Sequence, residues 1–260
     1  MQKFIPLILF FPVFNLFSYT PGESHLGAKL GVTTKNSEGS MSEIALYSTG
    51  LYFNNQSLED SDTSFAYDLE GNLNLLSLQN GFGLDIASHF HAKHNVYTEF
   101  GLNVRPFLKR GGILSPYLII GICHTTLGED ENTVRVQTSS SDLFSASLGI
   151  GSSIAFNDIV SINPSFTWNR VEFPNVRLSE SWMDSPFNFN FGKANSFQLS
   201  LPINFQITEN FSMGLEYRLA MLSEVSSKAI GTINGGALYG LEYSQEDSLH
   251  SFLLSSKYSF

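Results

Sequence analysis

The chain has one cysteine in 260 residues and little charge, with Asp, Glu, Lys and Arg together at 15%. A single thiol excludes an internal disulfide, and it excludes a zinc site built from several thiolates. Lys and Arg number 14 against 24 Asp and Glu, a formal net charge of −10. So acidic a chain is a poor match for nucleic acid, and no nucleic-acid partner is expected. Beyond residue 17 no apolar run is long enough for a transmembrane helix. Neither a phosphate-binding Gly-rich loop nor a dinucleotide fingerprint is found, and no cofactor is called for.

The residues that are abundant, Phe, Tyr, Gly and Ser, fall into alternation. Phe211, Met213, Leu215, Tyr217, Leu219 and Met221 share one face of an extended segment, and Ser212, Gly214, Glu216, Arg218 and Ala220 share the other. Phe197 to Ile207 alternates in the same way, and only Thr208-Glu209-Asn210 separates the two segments, which predicts a hairpin. Further alternating pairs are Leu69–Leu78 with Phe82–Phe90 across Asn80-Gly81, Val96–Phe107 with Tyr117–Thr125, and Phe144–Phe156 with Val160–Trp168. The first strand is expected at Leu26–Thr33. Pro164 and Pro202 fall inside predicted strands, where each removes a ladder donor and implies a local gap or bulge.

The connections sort by length. Short turns fall near residues 79–81, 109–115, 156–158 and 208–210, and long polar stretches near 35–63, 126–142, 172–195 and 222–249. Half-apolar strands with short turns at one end and long loops at the other suit an all-β, up-and-down antiparallel transmembrane β-barrel, whose segments escape a hydropathy window. Ten strands satisfy the parity, with eight or twelve as alternatives that hinge on Ile44–Phe53, itself an extended-looking segment inside the first long stretch.

Both ends of the chain point to a membrane address. Lys3, the apolar run Phe4–Phe17 and then Ser18 read as a secretory signal over residues 1–18, leaving 19–260 as the barrel domain. At the other end Phe252, Leu254, Tyr258 and Phe260 share an apolar face, with Ser251, Ser255, Lys257 and Ser259 opposite. This terminus resembles the insertion signal of bacterial outer-membrane β-barrels. The stretch Phe107-Leu-Lys-Arg-Gly-Gly-Ile-Leu-Ser-Pro116-Tyr117 resembles a hairpin of the small OmpX-like barrel superfamily. The resemblance implies a monomer in the bacterial outer membrane, surrounded by its lipid and placed there by the outer-membrane assembly machinery. It implies no substrate. Setting Phe260 in the periplasm puts every short turn on that side.

Candidate functional residues follow from the register. Lys29, Asp68, Glu70, Asp85, Glu99, Arg105, Glu216, Arg218 and Lys257 face the lumen, where charges are tolerable if paired, and Lys257 is expected beside Glu216. Tyr67, Trp168, Tyr217 and Tyr258 are candidates for aromatic girdles. His89, His91, His94 and His124 are weak candidates for a metal site at the external rim, with no carboxylate close in sequence. The 172–195 stretch carries Phe173, Trp182, Met183, Phe187, Phe189 and Phe191, either as an exposed contact surface or as a lid over the mouth. No nucleophile elbow is present, since Gly149-Ile-Gly151-Ser152-Ser153 reads as strand. These features favour a filled lumen with a role in envelope structure or in surface interaction, an external ligand meeting the loops at 126–142, 172–195 or 222–249. A narrow channel and a rim-site enzyme are the alternatives.

Overall fold

The computed structural model describes residues 20–47, 50–93, 97–109, 113–127, 136–138, 142–173, 175–178, 184, 187–233 and 237–260. The expected signal segment, His94, Trp182 and Met183 lie outside the described residues.

No helix occurs among the described residues. The strands are β1 (His25–Tyr47), β2 (Gly50–Ser77), β3 (Phe82–Lys93), β4 (Tyr97–Leu108), β5 (Leu114–Leu127), β6 (Val136–Thr138) and β7 (Asp142–Ala155). After them come β8 (Val160–Ile162), β9 (Ser165–Glu172), β10 (Val176–Leu178), β11 (Phe187–Phe189), β12 (Lys193–Gln206), β13 (Phe211–Ile233) and β14 (Ala237–Ser259). Neighbours pair antiparallel in chain order, β14 pairs with β1, and β12 pairs with β13, so the sheet closes on itself. The short strands β6, β10 and β11 form a separate three-stranded sheet. With β8 and β9 as two halves of one stave, the wall is a closed ten-stranded up-and-down barrel.

Closure follows from the alternation. Each strand offers one apolar and one polar face, and a barrel gives the two faces different solvents while leaving no edge unpaired. The gap between β8 and β9 falls at Asn163-Pro164, diagonally across from Pro202 on β12. Ladder pairing resumes in the same register on both sides of it, and Asn163 N–H still donates to Pro202 O at 3.1 Å. The two prolines therefore interrupt the seam without shifting it.

The short turns gather at one end with the carboxyl terminus. Phe260 N–H donates to Ser24 O at 3.0 Å, Ser259 N–H to Asn210 O at 2.8 Å, Gln206 N–H to Ile159 O at 2.8 Å and Lys109 N–H to Gly81 O at 2.7 Å. Gly81 has φ +86, and a Cβ there would collide with the Lys109 carbonyl, so this turn demands glycine.

At the opposite end the strand lengths depart from expectation. Residues 35–47, 50–63, 222–233 and 237–249 are strand, not loop. The β1–β2 ladder runs unbroken to Tyr47↔Gly50, and β13–β14 runs to Ile233↔Ala237 with one bulge between Leu222 and Val225. β14 and β1 stay paired as far as Leu46↔Leu238, so the four strands continue as one sheet beyond the wall. From Thr34 to Tyr47, at about 3.3 Å per residue, this is roughly 45 Å of extra strand. Of the expected segment Ile44–Phe53, residues 44–47 and 50–53 pair with each other at the far end of β1 and β2 and are not an additional pair. Polar composition suggested loops here, but a sheet with water on its outer face needs no apolar residues on that face.

Candidate functional site

Alternation carries the charged residues inward, and the barrel collects them in one layer. Lys29 (β1), Asp68 (β2), His89 and His91 (β3), Glu99 and Arg105 (β4), and Glu216 and Arg218 (β13) are all buried. Arg218 is the hub. Its Nη2 donates to Asp68 Oδ2 at 3.3 Å and its Nε to Glu216 Oε1 at 3.0 Å. Glu216 also pairs with Lys29 and accepts from Ser200 Oγ at 2.7 Å. Asp68 in turn pairs with His91. One network thus ties β1, β2, β3, β12 and β13 across the lumen, which satisfies charges that would otherwise be costly to bury.

Lys257 lies elsewhere. It contacts Glu23 at 3.8 Å and Thr20 Oγ1 at 3.0 Å, while the place beside Glu216 belongs to Lys29. The segment before β1 folds into the end that carries the short turns and takes up the charges there. Gly22 N–H donates to Asp85 at 3.0 Å, Asn72 Nδ2 donates to Glu23 O at 2.7 Å, and the Phe107 ring lies 3.2 Å from where a Gly22 Cβ would sit. Sequence reasoning missed this segment because Thr20–Ser24 has no alternation to read.

Among the described residues, His89, His91 and His124 do not gather at a rim. His89 and His91 point into the lumen, and carboxylates from neighbouring strands meet both, Glu99 at 3.2 Å from His89 and Asp68 against His91. His124 sits on the outer face, its ring 4.8 Å from that of Phe144. His89, Glu99 and Cys123 place one ligand atom each within 4.8 Å of one another, all buried, and so make the one candidate metal-ligating group among the described residues. Only the cross-strand register assembles it, because His89 and Cys123 both oppose Gly101 of β4.

Above the charged layer the inward-facing side chains give way to a buried apolar cluster. Phe173, Phe187, Phe189 and Phe191 from the 172–195 stretch are buried against Leu143, Val171 and Leu222 of the wall and Met41, Tyr239 and Tyr243 of the external sheet. Phe187 and Tyr239 meet edge to face at 5.6 Å, and Phe191 and Tyr243 at 6.1 Å. These four phenylalanines form a cap, not an exposed contact surface. Below it the inner faces of β7, β9 and β12 carry Ser147, Thr167, Asn169, Ser196 and Gln198, buried and hydrogen-bonded to no protein group through their side chains. The lumen therefore has a charged, cross-linked wall and an uncharged polar wall.

The outer face is banded. On β1, Leu26, Leu30 and Val32 are exposed, Thr34 to Ser42 follow as a polar band, and Ile44 and Leu46 are again exposed and apolar. On β2 the same order appears as Phe65–Leu75, then Asn55–Thr63, then Phe53; on β14 it is Phe252–Tyr258, Glu242–His250 and Leu238. The lower band girdles the barrel, with Phe252, Leu254, Tyr258 and Phe260 all outward and exposed. Trp168, with Phe166 below it and Arg170 above, marks the upper edge of the belt, and Tyr258 marks the lower end. Tyr67 and Tyr217 lie within the belt, flanked on both sides by Phe65 and Leu69, and by Leu215 and Leu219.

No protein-family model matches the chain, and no curated protein matches it in sequence. Solved structures do resemble it. The outer membrane protease OmpT from Escherichia coli is 10% identical, with 94% of this chain and 99% of that one covered and a TM-score of 0.44. The outer membrane protein OprG from Pseudomonas aeruginosa is 11% identical, with coverage of 91% and 97% and a TM-score of 0.44. Ail, the attachment invasion locus protein of Yersinia pestis, is 11% identical, with coverage of 92% and 99% and a TM-score of 0.30. The assignment rests on the molecule's own features. An even number of antiparallel strands closes without an edge, apolar side chains face outward in a continuous belt, charges face inward, and the short turns share one end with the terminal phenylalanine. The protein is a transmembrane β-barrel of the bacterial outer membrane.

Proposed function

We propose that this barrel is a surface-interaction protein, with its lumen sealed and its external four-stranded sheet as the contacting element. The observation that supports the reading is the third band of the outer face. Ile44, Leu46, Phe53, Ile230 and Leu238 are exposed at the far end of β1, β2, β13 and β14, with Ile230 at 77% and Phe53 at 63% of their full area. A polar band of Ser, Asn and Glu separates this patch from the lipid belt, so the bilayer that holds the barrel does not cover it. Exposed apolar patches rimmed by polar residues mark contact sites. A long sheet rooted in a rigid barrel carries such a patch well away from the membrane surface.

Attachment of cells displaying the full chain would be compared with attachment of cells displaying a quadruple variant, Ile44→Ser, Leu46→Ser, Phe53→Ser and Ile230→Ser. The surfaces would be other bacteria and host-type cells. The variant is expected to insert normally and lose attachment. Equal attachment would overturn the reading.

A narrow channel is the second reading, and the uncharged polar wall of β7, β9 and β12 favours it. Buried hydroxyls and amides without protein partners call for water, and water along one wall is the beginning of a path. Steady single-channel steps in a planar bilayer that change with Gln198→Leu would support the channel. A silent bilayer would favour the sealed lumen. A hydrolytic role has less support, because His91 and Asp68 are committed to the ionic network beneath the aromatic cap.

A further inference from the structure

We propose that His89, Glu99 and Cys123 form a binding site for a borderline transition-metal ion of the Zn(II) class inside the barrel. The three residues come from β3, β4 and β5, whose register brings them together. His89 and Cys123 flank Gly101 in one cross-strand row, and Glu99 lies two positions along β4 on the same inward face. Their ligand atoms lie within 4.8 Å of one another, and His89 Nε2 is 3.2 Å from a Glu99 oxygen. Ligand bonds to zinc run about 2.0–2.1 Å to imidazole, about 2.0–2.2 Å to carboxylate and about 2.3 Å to thiolate. One ion at the centre of this group therefore needs only small side-chain rotations to reach all three. Thr125, whose Oγ1 is 4.0 Å from Cys123 Sγ and 3.4 Å from Glu99, borders the remaining face, where a water molecule would complete four-coordination.

Charge balance within the lumen gives an independent reason. Asp68 and Glu216 each have the Arg218 guanidinium, and each has a further basic partner, His91 and Lys29 respectively. Glu99 is equally buried; Arg218 acts on it only at longer range, and its direct contacts are His89, Thr125 and Cys123: an imidazole, a hydroxyl and a thiol. A buried carboxylate is stable when paired or when it coordinates a metal, and here the neighbours are metal ligands. Gly101 fits the same account. A Cβ at that position would overlap the His89 ring, so the glycine is what lets the imidazole lie across β4 between Glu99 and Cys123. One nitrogen, one oxygen and one sulfur donor suit zinc and its neighbours, not calcium or magnesium, which take oxygen. The site is distinct from the external sheet and does not depend on the contact role proposed for it.

The test uses the full chain, folded into detergent micelles with chelator and then titrated with Co(II) as a spectroscopic stand-in for zinc. The expected result is a near-ultraviolet thiolate-to-cobalt charge-transfer band that saturates at one ion per chain and is displaced by Zn(II). Cys123→Ser should abolish the band, and Glu99→Gln or His89→Gln should weaken Co(II) binding at least tenfold. Heat-modifiable gel migration verifies that each variant is a folded barrel. Folding is repeated with Co(II) present from the start, so that access through the closed lumen does not limit loading. Folded wild-type protein that gives no charge-transfer band by either route overturns the proposal, as does a band that survives Cys123→Ser.

Discussion

Arg218 is the residue whose loss should cost the barrel most. It is buried to 1% exposure and bonds Asp68 and Glu216 at once. Arg218→Met keeps the volume near that of the stem and leaves two buried carboxylates short of a cation. Breaking a buried ion pair by removing one partner costs about 3–5 kcal/mol. Asp68 keeps His91 and Glu216 keeps Lys29, so the lower end, about 3 kcal/mol, is expected, or roughly a hundredfold in the folding equilibrium at ~1.4 kcal/mol per decade. The readout is urea unfolding in phospholipid vesicles, followed by tryptophan fluorescence, from Trp168 and Trp182, and by heat-modifiable migration. Asp68→Asn combined with Arg218→Met should recover at least about 1 kcal/mol of the loss, because it removes an orphaned charge as well as its partner. If Arg218→Met costs less than about 1 kcal/mol, or the double variant is no better than the single, the lumen network does not hold the barrel together.

Other perturbations separate the remaining parts of the argument. Leu254→Arg, in the lipid belt, should destabilise by about 2–4 kcal/mol, whereas Ser244→Arg, in the polar band of the same strand face, should change stability by less than about 1 kcal/mol; equal effects in vesicle unfolding would mean that the belt is misplaced. Phe187→Ala removes a fully buried ring from the cap, and such losses cost about 3–5 kcal/mol where the core cannot collapse. The expected readout is faster protease cleavage within residues 172–195, and an unchanged cleavage rate would show that the cap does not depend on it. Gly101→Ala forces a Cβ against the His89 ring and should cost about 1–3 kcal/mol as overpacking. His89→Ala in the same chain should relieve it, measured as a double-mutant cycle.

Much of the wall was legible because alternation is a local property. Phe211–Met221 and Phe197–Ile207 show their two faces in sequence, and Thr208-Glu209-Asn210 can only be their turn. The external sheet was harder to read for a physical reason. In β1 from Thr34 to Ser40 both faces are polar or small, since water lies outside and hydroxyl pairs such as Ser40 with Ser244 lie along the strands. Without an apolar face there is no period to detect. The aromatic stretch 172–195 signalled that Phe187 and Phe191 would be buried somewhere, but it could not say whether against a partner or against the barrel itself.

The sequence by itself determined the class of wall and which residues face the lumen, because each depends only on period-two alternation and the order of short and long connections. Tertiary structure alone decided which lumen residues meet. Closure brings β13 round to β2, so Arg218 reaches Asp68, 150 positions away, and the neighbour of Glu216 is Lys29 and not Lys257. The register of β3, β4 and β5 sets His89, Glu99 and Cys123 side by side. Such contacts depend on register and on the width of the barrel, both fixed by cooperative pairing around the whole ring, and no local stretch of sequence carries that information.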